Sequence, residues 1–368
     1  MDRLSHLFES SAKIVDLPKE FKAAQFTSPG SKLQINQVAW IEPKEGEIVV
    51  KVSSCGLHST DKIAKHALLP HVKYPFTPGS NVVGECVQVG KNVKHFKPGH
   101  PVVGVAAHGC LAEYAVLNAD YVAELKRKEG ATVQSFVEVF EGGRVEAELG
   151  RFEREEKDLS RDEARRRIDA NERLGFHGTG IDVVIGDGGA ARVAVQVLKH
   201  SSAYKERRVL VISTTDRWNF TFYDVEAADH LQLTHNELGS ALKAVGGIRF
   251  AVAVTQPPQE GFEELLEAMR YGSEMVVLAP HHENKLSLPI APICAKAISI
   301  RGAVWPSRQS LEKVLDLVHT HDLHVSVNRY KFDSVEELNN AWDDLEKQAK
   351  FDQPLIVLRE TIQAQETH

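Results

Sequence analysis

The stretch IDVVIGDGGAARVAVQVLK, residues 181–199, determines the interpretation of the second half of the chain. An apolar run, a glycine-rich turn and an amphipathic segment follow one another, which predicts a strand, a tight turn and a helix. Gly186, Gly188 and Ala191 form the pattern G-x-G-x-x-A across this turn. The first glycine permits the turn, the second lets the backbone approach a pyrophosphate, and the small alanine lets helix and strand pack closely. Because the start of the helix presents unpaired N–H groups, the stretch predicts a dinucleotide-binding turn.

Strand and helix patterns alternate from about residue 178 onward. The strand-like runs include RRVLVIST, DHLQLT, RFAVAVT, EMVVLAP and AISIRGAVW, and EGFEELLEAMRYG has a helical pattern. Continuous apolar runs are typical of buried parallel strands, so this half predicts a doubly wound parallel sheet. The final segments, SLEKVLDLVHTHDL and SVEELNNAWDDLEKQAKF, are predicted to be helices, and QPLIVL is predicted to be a closing strand.

The first part of the chain has a different pattern. Residues 21–125 contain short strand-like runs separated by Gly and Pro, which predicts a compact β domain, either a barrel or a sandwich. Between the two parts, residues 151–173 carry 8 basic and 8 acidic residues. Because these charges cancel, we expect a solvated helix or a partly mobile excursion and not a surface that binds a polyanion.

Composition excludes several classes of function. The chain has 368 residues, 42% of them hydrophobic, and a net charge of −7. It has no excess of Lys and Arg to neutralise phosphates, so neither nucleic acid nor a membrane surface is predicted as a partner. The four cysteines show no C-x-x-C spacing, which indicates neither a disulfide framework nor a thiolate zinc site. Without an apolar signal segment or a run of about 18 apolar residues, the expected location is cytoplasmic.

The strand after the glycine-rich turn ends at the position that selects the cofactor. An acidic residue there would bind the ribose hydroxyls of NAD, whereas this chain has Ser213, Thr214, Thr215 and Arg217. Hydroxyl groups and a guanidinium suit a 2′-phosphate, so NADPH is the predicted cofactor. The alternative is that Arg217 is only the solvated start of a following helix.

Several motifs together resemble the medium-chain dehydrogenase/reductase superfamily. They are EGEIVVKVSSCGLHSTD, YPFTPGSNVVGECVQVGKNVKHFKPGHPVVG, GCLAEYAVL, GDGGAARVAVQ, VISTTDR, AADH, RGAVWPSR and PLIVL. Within that superfamily the chain is similar to the NADP-dependent, cinnamyl-alcohol-dehydrogenase-type branch of the zinc alcohol dehydrogenases. The resemblance covers residues 21–125 and 178–359, whereas residues 126–179 depart from the usual linker.

The resemblance implies an α/β fold with a chaperonin-10-like (GroES-like) β domain, a Rossmann domain and a catalytic cleft between them. The predicted segments are a GroES-like domain over 1–150, a charged insertion or linker over 151–177, a Rossmann domain over 178–308, and a C-terminal segment over 309–368 that returns to the first domain. The predicted cofactor-binding residues are Gly186, Gly188, Gly189, Ala190, Ala191, Ser213, Thr214, Thr215 and Arg217.

The same resemblance predicts that no zinc is bound. His58 stands where family members have a cysteine ligand, and Ser80 and Asn81 stand where they have a histidine ligand and its carboxylate neighbour. No cysteine lies between Cys110 and Cys294 to serve as third ligand, and the four-cysteine structural lobe is missing. Catalytic zinc needs three protein ligands, and serine and asparagine are poor ones. A metal site that combines His58 with Asp61, His66 or His71 is not predicted, because these residues lack a convergent spacing.

Without zinc, hydrogen-bond donors and a proton source must assist hydride transfer. Thr60 matches the threonine that begins the family's proton relay, so it is a candidate catalytic residue. His58 is the candidate general acid because imidazole titrates near neutral pH, and Ser80 and Asn81 are candidates for further polar contacts. The structural alternatives are that Thr60 or Asp61 caps a helix and that Ser80 and Asn81 form a turn.

Three functional hypotheses follow. The favoured one is a zinc-independent, NADPH-dependent alcohol dehydrogenase-like reductase of a small carbonyl compound, an activated alkene or an iminium. The second is an inactive relative that binds a nucleotide or a partner, to which Asp187 in the phosphate turn and the missing ligands point. The third is a zinc enzyme with rearranged ligands. By resemblance, a homodimer or higher homo-oligomer is also expected, with the strand in AISIRGAVW pairing across a two-fold axis.

Overall fold

The structure, a computed structural model, contains two seven-stranded sheets and a separate two-stranded ribbon. It describes residues 17–58, 61, 62, 65, 66, 72–125, 139–186, 188–201, 208–213, 219–223, 228–232, 235–255, 257, 259, 261–278, 286–303, 305–321, 327–347 and 353–359.

The strands are numbered along the chain: β1 (Glu20–Phe26), β2 (Leu33–Ala39), β3 (Glu47–Gly56), β4 (Asn81–Val89), β5 (Pro101–Val105), β6 (Tyr114–Asn118), β7 (Val122–Glu124), β8 (Ile181–Ile185), β9 (Val209–Ser213), β10 (Asn219–Tyr223), β11 (Ala228–Gln232), β12 (Ile248–Ala253), β13 (Met269–Val277), β14 (Ser299–Gly302), β15 (Val327–Lys331) and β16 (Gln353–Val357). The described helices are α1 (Val139–Lys157), α2 (Arg161–Arg173), α3 (Gly188–Ser201), α4 (His235–Ala244), α5 (Phe262–Glu267), α6 (Ile290–Lys296), α7 (Arg308–His321) and α8 (Val335–Lys347).

The first sheet forms the predicted β domain. Its strand order is β15-β16-β3-β4-β5-β7, with β6 also paired to β3, and β1 and β2 form the antiparallel ribbon. The chain returns to this sheet at its C-terminal end, since β16 pairs with β3 and α8 packs on β15 and β16. Alternating side chains of these strands fill one apolar core. Within it the rings of Phe26 and Trp342 pack edge to face, with their centroids 4.8 Å apart.

The second sheet has the order β11-β10-β9-β8-β12-β13-β14, and its five strands β9, β8, β12, β13 and β14 are parallel. The chain runs from β8 outward to β9 and then crosses to β12 on the other side. This is the doubly wound arrangement that the alternating pattern predicted. All five residues of β8 are buried, as expected of a central strand covered on both faces. Strands β10 and β11 are antiparallel additions at one edge.

Helices α1 and α2 contain the charged stretch 151–173. The apolar side of α1 packs on α3 and α7 and touches β5 of the first sheet. A capping box at Ser160 and Glu163 starts α2, and Arg151 and Glu155 pair across one helical turn at 2.7 Å. The expected boundaries at residues 150 and 309 fall within α1 and α7. No helix among the described residues is both long enough and apolar enough to cross a membrane.

Candidate active site

The turn between β8 and α3 requires a glycine. Gly186 has φ +128°, and a Cβ built there would lie 2.6 Å from Thr255 Oγ1 and 2.7 Å from Val254 Cγ2. A side chain at this position would therefore meet both an unfavourable backbone conformation and the residues that follow β12. The strand order reverses between β8 and β12, which is where open α/β sheets bind ligands at the carboxyl ends of their strands.

The start of α3 has the small residues that the pattern requires. The helix begins at Gly188. Within its first turn Gly189 and Ala191 are buried, whereas Ala190 is half-buried. Ala191 belongs to an apolar cluster that also contains Val184 of β8, so a small side chain here does let helix and strand approach. Asp187 lies outside the described residues, and the direct effect of its carboxylate stays a prediction.

The cofactor-selecting positions are only partly described. Ser213 is the last residue of β9, while Thr214, Thr215 and Arg217 lie outside the described residues. The preference for NADPH therefore stays a prediction. The next described element is the strand β10 and not the helix that the alternative reading of Arg217 expected.

Three of the four predicted catalytic residues come together at the ends of β3 and β4. Gly56 of β3 pairs with Asn81, the first residue of β4, and His58 follows two residues after Gly56. His58 Nε2 lies 2.5 Å from Asn81 Nδ2. His58, Ser80 and Asn81 are only 2%, 1% and 3% exposed, and the Ser80 hydroxyl has no hydrogen-bond partner among the described residues. Thr60 lies outside the described residues, so its predicted role is not tested.

The carboxylate of Asp61 stabilises the position of His58 relative to β4. Its carboxylate accepts the backbone N–H of His58 at 2.9 Å and that of Gly79 at 2.8 Å. It thereby ties the loop after β3 to the loop before β4. Gly79 has φ +92°, and a Cβ there would lie 2.6 Å from Cys55 Sγ. The close packing of these two loops places His58 against Asn81.

Burial sets the protonation of the site. The pKa of His58 is lowered to about 3, first by burial and then by the positive charge of Arg144. With Asn81 Nδ2 as donor, His58 Nε2 accepts and the ring proton lies on Nδ1. The predicted role as general acid depended on titration near neutral pH. Because the ring is neutral there, His58 instead suits the role of a neutral hydrogen-bonding group, as neutral imidazole does in other active sites.

Asp61 shows the opposite shift. Burial raises its pKa to about 6, although the two N–H donors from His58 and Gly79 work against this change. The carboxylate is therefore ionised at neutral pH and begins to be protonated in mildly acidic solution. Protonation would weaken one of the two bonds that join the loops.

Arg144 is a site residue that the sequence analysis missed. It lies on α1, which touches β5, and Val105 of β5 pairs with Asn81. The side chain is only 9% exposed, and its charge is near enough to lower the pKa of His58. The available sequence signal was a single basic residue within VFEGGRVEAELG, inside the segment that departs from the family pattern.

Two glycines explain how α1 comes so close. A Cβ on Gly142 would lie 3.0 Å from Val193 of α3 and from Val314 of α7, and one on Gly143 would lie 2.8 Å from Pro306. Larger residues would push the start of the helix outward. The pair Gly142 and Gly143 therefore brings the next residue, Arg144, into the buried region between the two sheets.

The described residues do not form a zinc site. Serine and asparagine, which stand at the expected ligand positions 80 and 81, are poor zinc ligands. Of the other candidates, His58 Nε2 faces the Asn81 amide, His66 is exposed and His71 lies outside the described residues. Among the described residues, no group of three or more His, Cys, Asp and Glu side chains is arranged to hold a metal ion. Zinc independence itself stays a prediction.

Comparison with known proteins gives a consistent result. Residues 44–127 match the alcohol dehydrogenase GroES-like domain. The chain is 30% identical over 249 residues to a chloroplast envelope quinone oxidoreductase homolog of Arabidopsis thaliana, covering 64% of this chain and 68% of that protein. It is 24% identical over 367 residues to an alcohol dehydrogenase of Geobacillus stearothermophilus, covering 89% of this chain and 96% of that protein.

A solved structure resembles the whole fold. The cinnamyl alcohol dehydrogenase of Sorghum bicolor superposes with a TM-score of 0.65 at 17% identity, covering 92% of this chain and 98% of that chain. The fold, the matched domain and the relatives all agree with the resemblance that the motifs predicted. The chain belongs to the medium-chain dehydrogenase/reductase superfamily, among the oxidoreductases of the alcohol dehydrogenase and quinone oxidoreductase-like kind.

Proposed function

We propose that this protein is a zinc-independent reductase that uses NADPH to reduce a small carbonyl compound, an activated alkene or an iminium. The observation that carries the proposal is the buried group formed by His58, Asn81 and Arg144, in a chain that also keeps the glycine turn at Gly186. Membership of an oxidoreductase family supports the reaction class.

The residues that would hold the cofactor are those of the turn and of the end of β9. The backbone from Gly186 to Ala191 suits the pyrophosphate, and Ser213, Thr214, Thr215 and Arg217 suit a 2′-phosphate. When bound, NADPH supplies the hydride. The protein then has to orient the acceptor, exclude water and stabilise the charge that develops on it.

Arg144 supplies the positive charge. Addition of hydride to a carbonyl carbon places negative charge on the oxygen, and addition to an enone places it on an enolate oxygen. The buried guanidinium stabilises this charge more strongly than it would in water, because the surrounding dielectric constant is low. A guanidinium offers a delocalised charge and a planar set of N–H donors, so Arg144 acts through charge and hydrogen bonds.

His58 and Asn81 orient the acceptor, and the proton comes from elsewhere. Neutral His58 has one donor, the N–H at Nδ1, because Nε2 accepts from Asn81. The Ser80 hydroxyl adds a donor without a partner among the described residues. The proton that completes the reduced product is assigned to the relay that the resemblance places at Thr60.

Binding and turnover together test the proposal. NADPH and NADH are titrated by fluorescence, and the protein is then assayed with aldehydes, quinones and enones. Quinones are included because the name of the Arabidopsis relative states that activity. We expect tighter binding of NADPH, turnover of at least one class, and activity that survives dialysis against a chelator. Loss of activity on chelation, restored by zinc, would instead support the zinc enzyme with rearranged ligands.

Arg144 variants test the mechanism. Arg144→Met should lower kcat/KM by about 100-fold, the scale seen when one charge-stabilising donor is removed, while the affinity for NADPH stays within about twofold. Arg144→Lys is the matched control, since it keeps the charge but not the planar geometry, and it should retain part of the activity. Equal activity in Arg144→Met and the wild type would remove Arg144 from the mechanism. NADPH binding without turnover of any substrate class would favour the inactive nucleotide-binding relative.

A further inference from the structure

A cavity of about 500 Å³ lies beside the β1–β2 ribbon of the first domain. Its described lining comes from β1, β2, β3, β6 and the loops that carry residues 72–77 and 108–112. His58, Ser80, Asn81 and Arg144 are not among these lining residues. The volume is within the range of small-molecule sites, about 300–1,000 Å³. The cavity is therefore a candidate ligand site apart from the buried group described above.

Small side chains leave this space open. Phe21, Ala23 and Gln25 are two residues apart on β1, so their side chains lie on one face. Ala23 forms a bridge to Ala112, and both residues are buried. Their methyl groups form the floor between larger side chains. Phe21 lies at one end of this row and Gln25 at the other, about 13 Å away along the strand.

An aromatic wall lies at the Phe21 end. The ring centroids of Phe21, Trp40 and Tyr114 are 5.2–6.2 Å apart, and all three pairs are edge to face. Phe21 is buried, whereas Trp40 and Tyr114 are half-buried and keep ring surface for a ligand. The indole nitrogen of Trp40 is itself buried, so this residue offers ring surface and no donor. A planar aromatic ligand fits this wall, because aromatic rings favour offset and edge contacts with one another.

A polar group lies at the Gln25 end. Gln25 Nε2 donates to Thr77 Oγ1 at 3.1 Å. The backbone N–H of Gly109 donates to the carbonyl oxygen of Thr77 at 2.9 Å, which brings the loop of His108 beside Thr77. His108 is exposed, and its ring centroid is 5.1 Å from that of Phe76. Thr77 and His108 thus lie together, at the opposite end of the row from the aromatic wall.

Thr77 and His108 both have hydrogen-bonding capacity left. The Thr77 hydroxyl accepts from Gln25, and no described residue accepts its own proton. The imidazole of His108 has no hydrogen-bond partner among the described residues. Burial lowers the pKa of His108 below its ordinary value, so at neutral pH the ring is uncharged and one nitrogen is an acceptor. A ligand hydroxyl satisfies both groups, because its oxygen accepts from Thr77 and its proton is donated to His108.

The charges around the cavity do not select an ion. Lys73 is the only charged side chain among the described lining residues, and it is exposed. Burial, and after it the carboxylate charge of Glu113, raises the pKa of Tyr114, so a negative charge also lies near the aromatic wall. An exposed ammonium is screened by water and salt, and the carboxylate opposes its attraction for an acid. A neutral ligand is therefore favoured over an acid or an amine.

We propose that this cavity binds a neutral phenol with a planar aromatic frame, its rings against Trp40 and Tyr114 and its hydroxyl between Thr77 and His108. A phenol suits the site better than an aliphatic alcohol, because its ring meets the aromatic wall and its more acidic O–H is the better donor to an imidazole nitrogen. The site is independent of the nucleotide turn and of the proposed reaction. It gives the protein a second ligand class, chemically distinct from the dinucleotide.

Binding of 2-naphthol, measured by calorimetry on the full chain, tests this proposal. We expect saturable one-to-one binding. The ether 2-methoxynaphthalene keeps the rings and the acceptor oxygen but lacks the proton, so it should bind about fivefold more weakly. Decahydro-2-naphthol keeps the hydroxyl but lacks flat rings, and it should also bind about fivefold more weakly. The acid 2-naphthoate should bind more weakly than 2-naphthol. Equal affinity for 2-naphthol and any of these three compounds would overturn the proposal.

Variants at the polar end locate the site. His108→Ala and Thr77→Val should each weaken binding of 2-naphthol by about fivefold, in line with loss of one hydrogen bond between neutral groups. His95→Ala is the matched control, since His95 is also exposed in this domain but lies outside the described cavity lining, and it should bind as the wild type does. Because His108 is exposed, its variant tests the site without depending on the fold of the core. Unchanged affinity in both His108→Ala and Thr77→Val would overturn the assignment.

The imidazole ring gives a direct readout. In a ¹H–¹³C spectrum, the ring signal of His108, identified by its loss in His108→Ala, should move on addition of 2-naphthol. The ring signal of His95 should stay in place. Absence of saturable binding would refute the proposal, and so would a shift of His95 with His108 unchanged.

Discussion

Replacement of Gly186 by alanine tests the turn on which nucleotide binding depends. The new Cβ would lie 2.6 Å from Thr255 Oγ1, 2.7 Å from Val254 Cγ2 and 3.0 Å from Thr255 N. Real Cβ atoms do not approach other atoms to 2.6 or 2.7 Å, so the side chains of Thr255 and Val254 or the turn itself would have to move, and the backbone contact at 3.0 Å is tight as well. In addition, alanine is disfavoured at φ +128°.

The expected cost has two parts. A residue held in a sparsely populated backbone region costs about 1–3 kcal/mol. Insertion of a methyl group into a closely packed position costs a further ~1–3 kcal/mol. We therefore expect Gly186→Ala to lower the free energy of unfolding by about 2–6 kcal/mol, near the upper range for single substitutions. Displacement of the turn should also raise the Kd for NADPH by at least about tenfold, which corresponds to ~1.4 kcal/mol.

Gly178→Ala is the matched control. Gly178 also has positive φ, +66°, but nothing lies within 4 Å of a Cβ built on it. This variant isolates the backbone term and should cost only about 1–2 kcal/mol, with NADPH binding unchanged. Both variants are compared by urea unfolding and by fluorescence titration of NADPH. In the Gly186→Ala background, Thr255→Ala removes the nearest atom and should restore part of the stability.

The comparison has a clear refuting result. If Gly186→Ala unfolds at the same urea concentration as Gly178→Ala and binds NADPH as tightly as the wild type, the turn does not need a glycine. The assignment of the nucleotide to the carboxyl end of β8 would then lose its support. Loss of NADPH binding in both variants would also contradict the reasoning, because Gly178 lies before β8 and not in the turn.

Other predictions concern the buried site and the assembly. The pKa of His58 is about 3 in the folded protein against an ordinary 6.5. Below pH 6.5 the ring is protonated in the unfolded state but not in the folded state, so the free energy of unfolding decreases as the pH falls from 6.5 toward 3. The stability lost in His58→Gln should therefore shrink by about 2 kcal/mol between pH 6.5 and pH 5, measured by urea unfolding at each pH; a constant difference would show that the ring is not held neutral. Arg144→Met should raise the pKa of His58 in an NMR titration, and an unchanged pKa would mean that the guanidinium is not near the ring. Asp61 acts in the opposite sense, since its folded pKa of about 6 exceeds the ordinary 3.8, so its ionisation opposes folding and this cost is relieved as the pH falls through 6. Asp61→Ala should remove this acid stabilisation and should also loosen the loop that carries His58. The free energy of unfolding should therefore fall more between pH 7 and pH 5 in Asp61→Ala than in the wild type, and an identical pH profile would contradict the shift. Light scattering should give the mass of a dimer or higher homo-oligomer, because β14 leaves a free sheet edge among the described strands, and a monomer at all concentrations would refute this proposal.

The sequence predicted the elements whose signals are local. The strand, turn and helix around Gly186 were readable because each glycine or alanine has a role within a few residues of itself. The closing strand at QPLIVL was found for the same reason, as β16 (Gln353–Val357). By contrast, the antiparallel pairing of β10 with β9 and β11 was not predictable. It depends on which edge of the sheet is available, and the alternation of strands and helices along the chain does not specify an edge.

The candidate site was only partly predictable. His58, Ser80 and Asn81 were found because the motifs that carry them align with a known family. The neutral state of His58 was not predictable, because it follows from burial and from a charge on a segment far away in sequence. Arg144 was missed since its position depends on Gly142 and Gly143 packing against α3 and α7. Thr60, Thr214, Thr215 and Arg217 lie outside the described residues and stay predictions.

The packing of α1 has a consequence for how this protein can change. The 19 residues of this helix carry Arg144 and also contribute Val145, Leu149 and Phe152 to the apolar cluster shared by the two lobes. The same helix therefore contributes both the positive charge near His58 and part of the apolar packing between the two domains. Substitutions that shift this helix to alter reactivity will also alter how cooperatively the two domains unfold. Catalytic properties and stability therefore cannot evolve independently at this helix.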